Sequence, residues 1–323
     1  MQKDGIYDLI IVGGGPAGLS AAIYALRATL KTVLIEKGLP GGQIAVTDSV
    51  ENYPGFENIG GLELCGKFLD HAKSYGLEVI QQETTAVEPG IEFHSVRLSD
   101  GTVLRSHAVI LATGGNHRSL NVPGEEDYRG KGVSYCATCD GFFYREKTVV
   151  VVGGGDTAAE EALYLAKIAE KVYLVHRRNE LRASRILQQR VMSECKIEIL
   201  WNTVLTAIKA DGHGVSGVDL RNTVTGQERE ISAYGVFIFV GFIPNNQLVP
   251  AGVKMNADGY VLTDEKCETH IPGIYVVGDL RDKYAKQIVL AAADGCTASL
   301  AAALYVETKK ATEETCELPQ DMA

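Results

Sequence analysis

Long apolar runs are scarce in this chain. The most apolar internal stretch, residues 236–243, falls well short of the roughly 20 residues that span a bilayer. Residues 288–306 are apolar for longer, but Asp294, Gly295 and several alanines interrupt them, so they read as a buried helix. The N-terminal MQKDGIYDLIIVGGG has a late, short apolar run that passes into glycines without a small-residue cleavage site; it does not read as a secretory signal. Positive charge is also in deficit: 31 Lys and Arg against 41 Asp and Glu leave a formal net charge of −10. That argues against a duplex nucleic-acid binder, which carries a basic patch or stripe. Clustered cysteines and histidines are missing too. Of 7 cysteines, only Cys136 and Cys139 lie at motif spacing, and Cys65, Cys195, Cys267, Cys296 and Cys316 are scattered, as are the 7 histidines. A disulfide scaffold is excluded, no metal site is predicted, and a reducing compartment, the cytoplasm, is expected.

What the chain does have is an ordinary globular composition, 46% hydrophobic and 22% charged over 323 residues. That is enough for about two domains with cores that need no staple. It also has an internal repeat. Residues 7–36, YDLIIVGGGPAGLSAAIYALRATLKTVLIE, align with residues 147–176, KTVVVVGGGDTAAEEALYLAKIAEKVYLVH, at an offset of 140. Each copy reads as a buried strand, a glycine turn, an Ala/Leu-rich helix and a second strand, which is a βαβ unit. The expected helices cover 16–29 and 157–169. Further strands are expected within 102–113, 234–243 and 274–279, with hairpin-like alternation over 197–226. The strand at 274–279 follows the second repeat, so the first domain is expected to close with the C-terminal third and the second to be inserted. The expected segments are 1–118, 119–246 and 247–323, with crossings near 118–123 and 243–249. The polar stretch 307–323 is expected to be partly disordered.

The first repeat carries Gly13-x-Gly15-x-x-Gly18. Such glycines permit a tight turn and close backbone approach to a pyrophosphate, which the helix N-terminus then faces. The pattern alone is weak and fits a merely structural turn. Here Glu36 ends the next strand, 23 residues after Gly13, where a carboxylate can accept from a ribose 2′-hydroxyl. The second repeat carries Gly153-x-Gly155-x-x-Ala158, and its equivalent of Glu36 is His176, followed by Arg177, Arg178 and, one turn on, Arg182. An acid there repels a 2′-phosphate and cations bind it. The first unit should therefore take an unphosphorylated ribose, as in FAD, and the second NADPH over NADH, unless the arginines are only a solvated surface run. Between the repeats lies Cys136-Ala137-Thr138-Cys139-Asp140-Gly141. Two cysteines so spaced can close a reducible disulfide; half a zinc site or two buried thiols are the alternatives. Asp140 beside them can exchange a proton or simply serve the turn before Gly141.

GGGPAG, GGQ (41–43), ENYPG (51–55), CATCDG, VVGGGDTA, HRRNELRA and VGDL (277–280), in this order between residues 7 and 306, resemble the low-molecular-weight thioredoxin reductases. The resemblance implies an α/β fold of two Rossmann-like, doubly wound domains, with the NADPH domain inserted in a discontinuous FAD domain, and a homodimer. For FAD it implies contacts from Gly13, Gly15, Pro16, Ala17, Gly18 and Glu36, from Gly42, Gln43 and Asn52, from Thr113 and Gly114, and from Gly278, Asp279, Lys286 and Gln287. For NADPH it implies Gly153, Gly155, Asp156, Thr157 and Ala158, with His176, Arg177, Arg178 and Arg182. It implies catalysis by a Cys136–Cys139 pair, with Cys139 next to the flavin, Cys136 attacking a thioredoxin disulfide and Asp140 as proton donor. It implies too that one domain rotates against the other, with the two crossings as hinges. The chain departs from the usual pattern at Asn179, where Asp is common, at Leu181, near which Phe is common, and at Lys286, where Arg is frequent. The alternative within the family is a thioredoxin-reductase-like flavoprotein using another donor, such as ferredoxin, or another disulfide partner; relatives of that kind usually lose the glycines or arginines of the second motif, and this chain keeps both. Two further rivals stand outside it. The flavoprotein subunits of alkyl hydroperoxide reductase usually carry an added N-terminal region and lack the Arg pair, and a non-catalytic redox-sensing module would hold nucleotides without turnover.

Overall fold

The computed structural model describes residues 5–46, 50–212 and 214–316. In chain order it begins β1 (Tyr7–Val12), α1 (Pro16–Arg27), β2 (Thr32–Glu36), α2 (Gly61–Ser74), β3 (Glu78–Gln81), β4 (Thr84–Glu88), β5 (His94–Leu98) and β6 (Val103–Leu111). Then come β7 (Gly115–His117), β8 (Val133–Ser134), α3 (Ala137–Asp140), β9 (Thr148–Gly153), α4 (Asp156–Ala166), β10 (Lys171–Val175) and α5 (Arg185–Ser193). The chain continues through β11 (Ile197–Leu200), β12 (Thr203–Ala210), β13 (Val215–Asn222), β14 (Glu228–Ser232), β15 (Gly235–Phe239), β16 (Phe242–Pro244), β17 (Ile274–Val276) and α6 (Ile288–Cys316). These elements form two compact units, one from 1–45, 62–116 and 243–323, the other from 46–61 and 117–242. β7 and β16 pair as a two-stranded ribbon.

The first unit is built on a sheet ordered β3-β2-β1-β6-β5-β4. β5 pairs antiparallel with the first half of β6, and β17 pairs parallel with its last residues, Ile274 opposite Val109 and Val276 opposite Leu111. Every residue of β1 is buried, as expected of a central parallel strand. Its alternate side chains serve two cores, because successive residues of a strand point to opposite faces. Leu9 and Ile11 pack with Leu19, Ala22 and Ala298, while Ile10 and Val12 pack with Val96, Val253 and Val261. α6 lies against α1. A Cβ at Gly295 would collide with the Ala17 carbonyl, and the hydroxyls of Ser20 and Ser299 donate across the contact to Ala292 O and Ala21 O, each at 2.7 Å.

Two expectations need correction here, the buried helix over 288–306 and the strand over 274–279. α6 is not buried all round: Ala298, Ser299, Ala302 and Val306 are covered, but Leu300 and Leu304 are exposed. By length and composition this helix could cross a membrane. It also runs on through the polar residues 307–316. Lys310 makes a 2.6 Å ion pair with Asp8, Lys309 donates to Ile91 O, and Thr308 and Thr312 bond back to the preceding turn. Residues 317–323 of the expected disordered stretch lie outside the described residues. The strand expected over 274–279 stops at Val276, because Gly278, at φ 69°, turns the chain into a short 3-10 turn, Gly278–Leu280.

The second unit repeats the plan. Its parallel sheet runs β11-β10-β9-β15-β8, and a separate antiparallel sheet runs β12-β13-β14. One face of β9 and β10, with Val149, Val151 and Leu174, packs on Ala159, Ala162 and Leu165 of α4. The other, with Val150, Val152 and Val175, packs on Leu205, Ile208 and Leu220 of the antiparallel sheet.

Candidate active site

Three constructions carry the predicted chemistry. The first is the turn between β1 and α1. Gly13 holds φ 109°, and a Cβ there would meet the Ala112 carbonyl; one at Gly18 would meet Gly13 O. Gly15 caps α1 with no side chain on the helix's first amides, Pro16 follows at the first helical position, and nothing lies within 4 Å of where a Gly15 Cβ would be. Pro16, Ala17 and Gly18 are buried in the first turn. This is an open helix N-terminus whose first amides, those of Ala17 and Gly18, have no side-chain cap, and it fits a pyrophosphate. Glu36 is fixed beside it: its Oε2 accepts from Gly14 N at 2.7 Å and its Oε1 from Gly38 N at 2.9 Å. Each oxygen keeps a further lone pair for a ribose hydroxyl.

Loops complete the cradle. Gly41 N donates to Gly14 O at 2.9 Å, which lays the GGQ segment on the turn, and a Cβ on Gly42 would come within 3.4 Å of Gly15 Cα. Gln43 Nε2 donates to Asn116 Oδ1 at 2.7 Å, Asn116 Nδ2 to Asn245 Oδ1 at 3.0 Å, and Asn245 Nδ2 to Thr113 O at 2.9 Å. Asn245 N donates in turn to Gly114 O at 2.9 Å. Asn116 and Asn245 are members of this chain of amides that the sequence reading missed. Asp279 follows Gly278 in the 3-10 turn. Its Oδ1 is buried without a hydrogen bond, 3.6 Å from Lys283 Nζ. Burial raises its carboxyl above the usual range, while Lys283 and Lys286 pull it down. An orphaned buried acceptor at a strand end fits a ligand hydroxyl. The ammonium of Lys286 sits 4.4 Å from the centre of the Tyr260 ring, and Gln287 precedes α6, its carbonyl accepting from Ala291 N. Asn52 alone of the predicted flavin contacts falls outside this unit, since 46–61 group with the other.

The second construction is the turn from β9 to α4. Gly155 caps α4 without a side-chain hydrogen bond, and the space before it is open. A Cβ on Gly153 would lie 2.6 Å from Ala158 Cβ, so the third motif position takes its small residue for packing. Asp156 Oδ1 accepts from Ser184 N at 2.7 Å, and Arg182 N donates to Gly154 O at 2.7 Å. The loop after β10 is thereby folded over the glycine turn. His176 is buried, with Nδ1 2.8 Å from Gly153 O and Nε2 2.9 Å from Glu180 O. Its ring is spent on bracing the turn. Arg177, Arg178 and Arg182 stand exposed around it, and among the described residues none has a carboxylate partner.

The third is the redox pair. Cys136 and Cys139 are joined as a disulfide, Cα atoms 5.3 Å apart. Cys136 caps the single turn α3, its sulfur accepting from Cys139 N at 3.2 Å. Asp140 Oδ2 accepts from Ser134 Oγ at 2.5 Å, and that hydroxyl oxygen accepts from Cys136 N at 3.1 Å. Tyr144 lies near enough for Asp140's charge to help burial push its phenol up to about 12. Phe142 and Phe143, just after the pair, are exposed by 60% and 37%, an apolar surface that a protein substrate can cover. Ser134 and Glu161 belong to this site but were missed; Glu161 follows Glu160 on α4, and nothing in the local pattern sets the two apart.

The chain is similar to known proteins over nearly its whole length. Residues 7–295 match the family profile described as pyridine nucleotide-disulphide oxidoreductase. A Bacillus subtilis protein described as thioredoxin reductase is 44% identical over 315 residues, covering 98% of this chain and 99% of its own. A Listeria monocytogenes protein of the same description is 45% identical over 97% of this chain and 98% of its own. The crystal structure of thioredoxin reductase from Streptococcus pyogenes superposes with a TM-score of 0.92 at 41% identity, covering 95% of this chain and 100% of that one.

Proposed function

The chain belongs to the pyridine nucleotide-disulphide oxidoreductase family, and from that premise we propose that it is a thioredoxin reductase, driven by NADPH through FAD. FAD, when bound, supplies the hydride acceptor that hands two electrons to the Cys136–Cys139 disulfide. The observation that carries the reading is the closed disulfide in the same unit as an arginine-rimmed dinucleotide turn.

Each residue has a part. The Gly13–Gly18 turn and Glu36 hold the flavin's pyrophosphate and ribose, and the amides of Gln43 and its partners and the Asp279 carboxyl hold the remainder. The Gly153–Ala158 turn takes the NADPH pyrophosphate, His176 fixes the loop, and Arg177, Arg178 and Arg182 take the 2′-phosphate. Once reduced, the Cys136 sulfur attacks one sulfur of the substrate disulfide and expels the other as a thiolate. Cys139 then attacks the mixed disulfide, which frees the second substrate thiol and restores the Cys136–Cys139 bond. Asp140, oriented by Ser134, delivers a proton to a departing sulfur and recovers one from the solvent. The exposed Phe142 and Phe143 give thioredoxin its apolar footing. Free thiols at Cys65, Cys195, Cys267 and Cys296 accord with a cytoplasmic setting, and we take the working form to be a homodimer.

The test is thiol release from oxidised thioredoxin with NADPH as sole reductant, beside an NADH control. Fast release with NADPH alone is expected. A yellow protein that releases nothing would overturn the donor or the partner, and the same assay with reduced ferredoxin as donor would then separate the two.

A further inference from the structure

Beneath the redox turn lies a carboxylate that the exchange chemistry does not use. Glu161 sits in the middle of α4, the helix whose first residues form the second dinucleotide turn. Its Oε2 accepts from Ala137 N at 3.0 Å, and Thr138 N bonds to it as well. Those two amides open α3, the turn capped by Cys136. Uncapped amides at the start of a helical turn stabilise a sulfur anion and depress a thiol's pKa. Here two of the three are occupied by an anion, and only Cys139 N is left to face the Cys136 sulfur.

Resting on the reading of Cys136–Cys139 as the redox pair, we propose that Glu161 is a positioning residue that keeps this pair strongly reducing. It reserves one amide for the Cys136 sulfur and sets a negative charge beneath the turn where a thiolate forms. The couple takes up two electrons and two protons as the S–S bond breaks into two thiols. A neighbouring carboxylate disfavours the thiolate fraction of the reduced form, and so favours the disulfide. A dithiol whose disulfide is favoured gives its electrons up more readily, the converse of oxidants whose reduced form is stabilised. Burial pushes the Glu161 carboxyl up, and the two amides draw it back toward the charged form. Its place on α4 also ties the geometry of the pair to the helix that starts at the nucleotide turn.

The experiment is the redox equilibrium of Cys136–Cys139 in the holoenzyme, held in glutathione buffers, quenched with acid and mass-tagged at free thiols. Two glutathione thiols reduce the pair and leave as glutathione disulfide, so neither NADPH nor thioredoxin enters the measurement. Glu161→Gln keeps an acceptor for the amides and removes the charge. The equilibrium should move toward the dithiol by about 3- to 10-fold, where tenfold is about 30 mV for a two-electron couple. Glu161→Ala, which frees both amides, should move it at least as far in the same direction, and it stands in if the Gln variant does not hold flavin. An unchanged equilibrium in a folded, yellow variant, or a shift toward the disulfide, overturns the proposal. A wild-type pair that does not cycle at all would instead sink the reading of the redox pair.

Discussion

At residue 36 a carboxylate and at residue 176 an imidazole occupy one place in two copies of one βαβ unit. Glu36 accepts from the turn's own amide, and His176 wedges between two carbonyls. The exchange of an acid for a cation-flanked ring was legible because the chain supplies its own comparison. Glu161 was not, since its role depends on α4 lying under α3, a contact that no local pattern announces. The arginines make the first prediction. Arg177→Gln with Arg178→Gln should raise KM for NADPH at least tenfold, since hydrogen bonds to charged groups are worth about 1.5–3 kcal/mol each. KM for NADH should move less than about threefold on the same electrostatic argument. Stopped-flow flavin reduction with both nucleotides checks this, and equal losses would remove the arginines from the 2′-phosphate. A second prediction concerns His94, buried in the first unit, where burial and then Lys309 lower its pKa to about 4. Between pH 6.5 and 4 the unfolded chain binds a proton that the folded one refuses, so stability falls as pH drops through that window, by up to about 3 kcal/mol. Urea midpoints of flavin release should fall between pH 7 and 5, and should fall less in His94→Gln.

Among the elements, the strands and helices of the two repeats were readable because buried runs of β-branched residues and glycine turns punctuate them. The misreadings came where packing overrode composition. Alanine lets α6 lie flush on α1 while Leu300 and Leu304 face outward. The close approach of the two helices yields a third prediction. Gly295→Ala places a methyl against the Ala17 carbonyl, 2.8 Å from Ala21 N. Overpacking of this kind costs about 1–3 kcal/mol. Because Ala17 lies in the first turn of α1, the purified variant should carry less than its full complement of flavin, read from the ratio of flavin to protein absorbance. A variant with full flavin and unchanged melting would mean that α6 can step aside.

Across the whole molecule, the cysteines report accessibility. Cys195 is exposed, while Cys65 and Cys267 are buried and burial pushes both thiols up to about 11. Alkylation of the folded, oxidised protein at pH 7.5 (about one unit below a free thiol's pKa) should therefore mark Cys195 well ahead of Cys65 and Cys267. Prior reduction with NADPH should add Cys136 and Cys139, and early labelling of Cys65 would contradict the packing. The discontinuous first unit has a further consequence, for the chain as it is made. The second unit is complete once residue 242 has been synthesised, whereas the last residues of β6, already beside β1, lack their second neighbour until 274–276 and α1 lacks its cover until α6. At about 5–20 residues per second, the apolar edge at Val109–Leu111 waits roughly 8–30 s for its partner. Biosynthesis thus runs inside out: the inserted piece can settle first, and the N-terminal sheet spends its most adhesive moments half-built, in need of a slow neighbour or a chaperone's company.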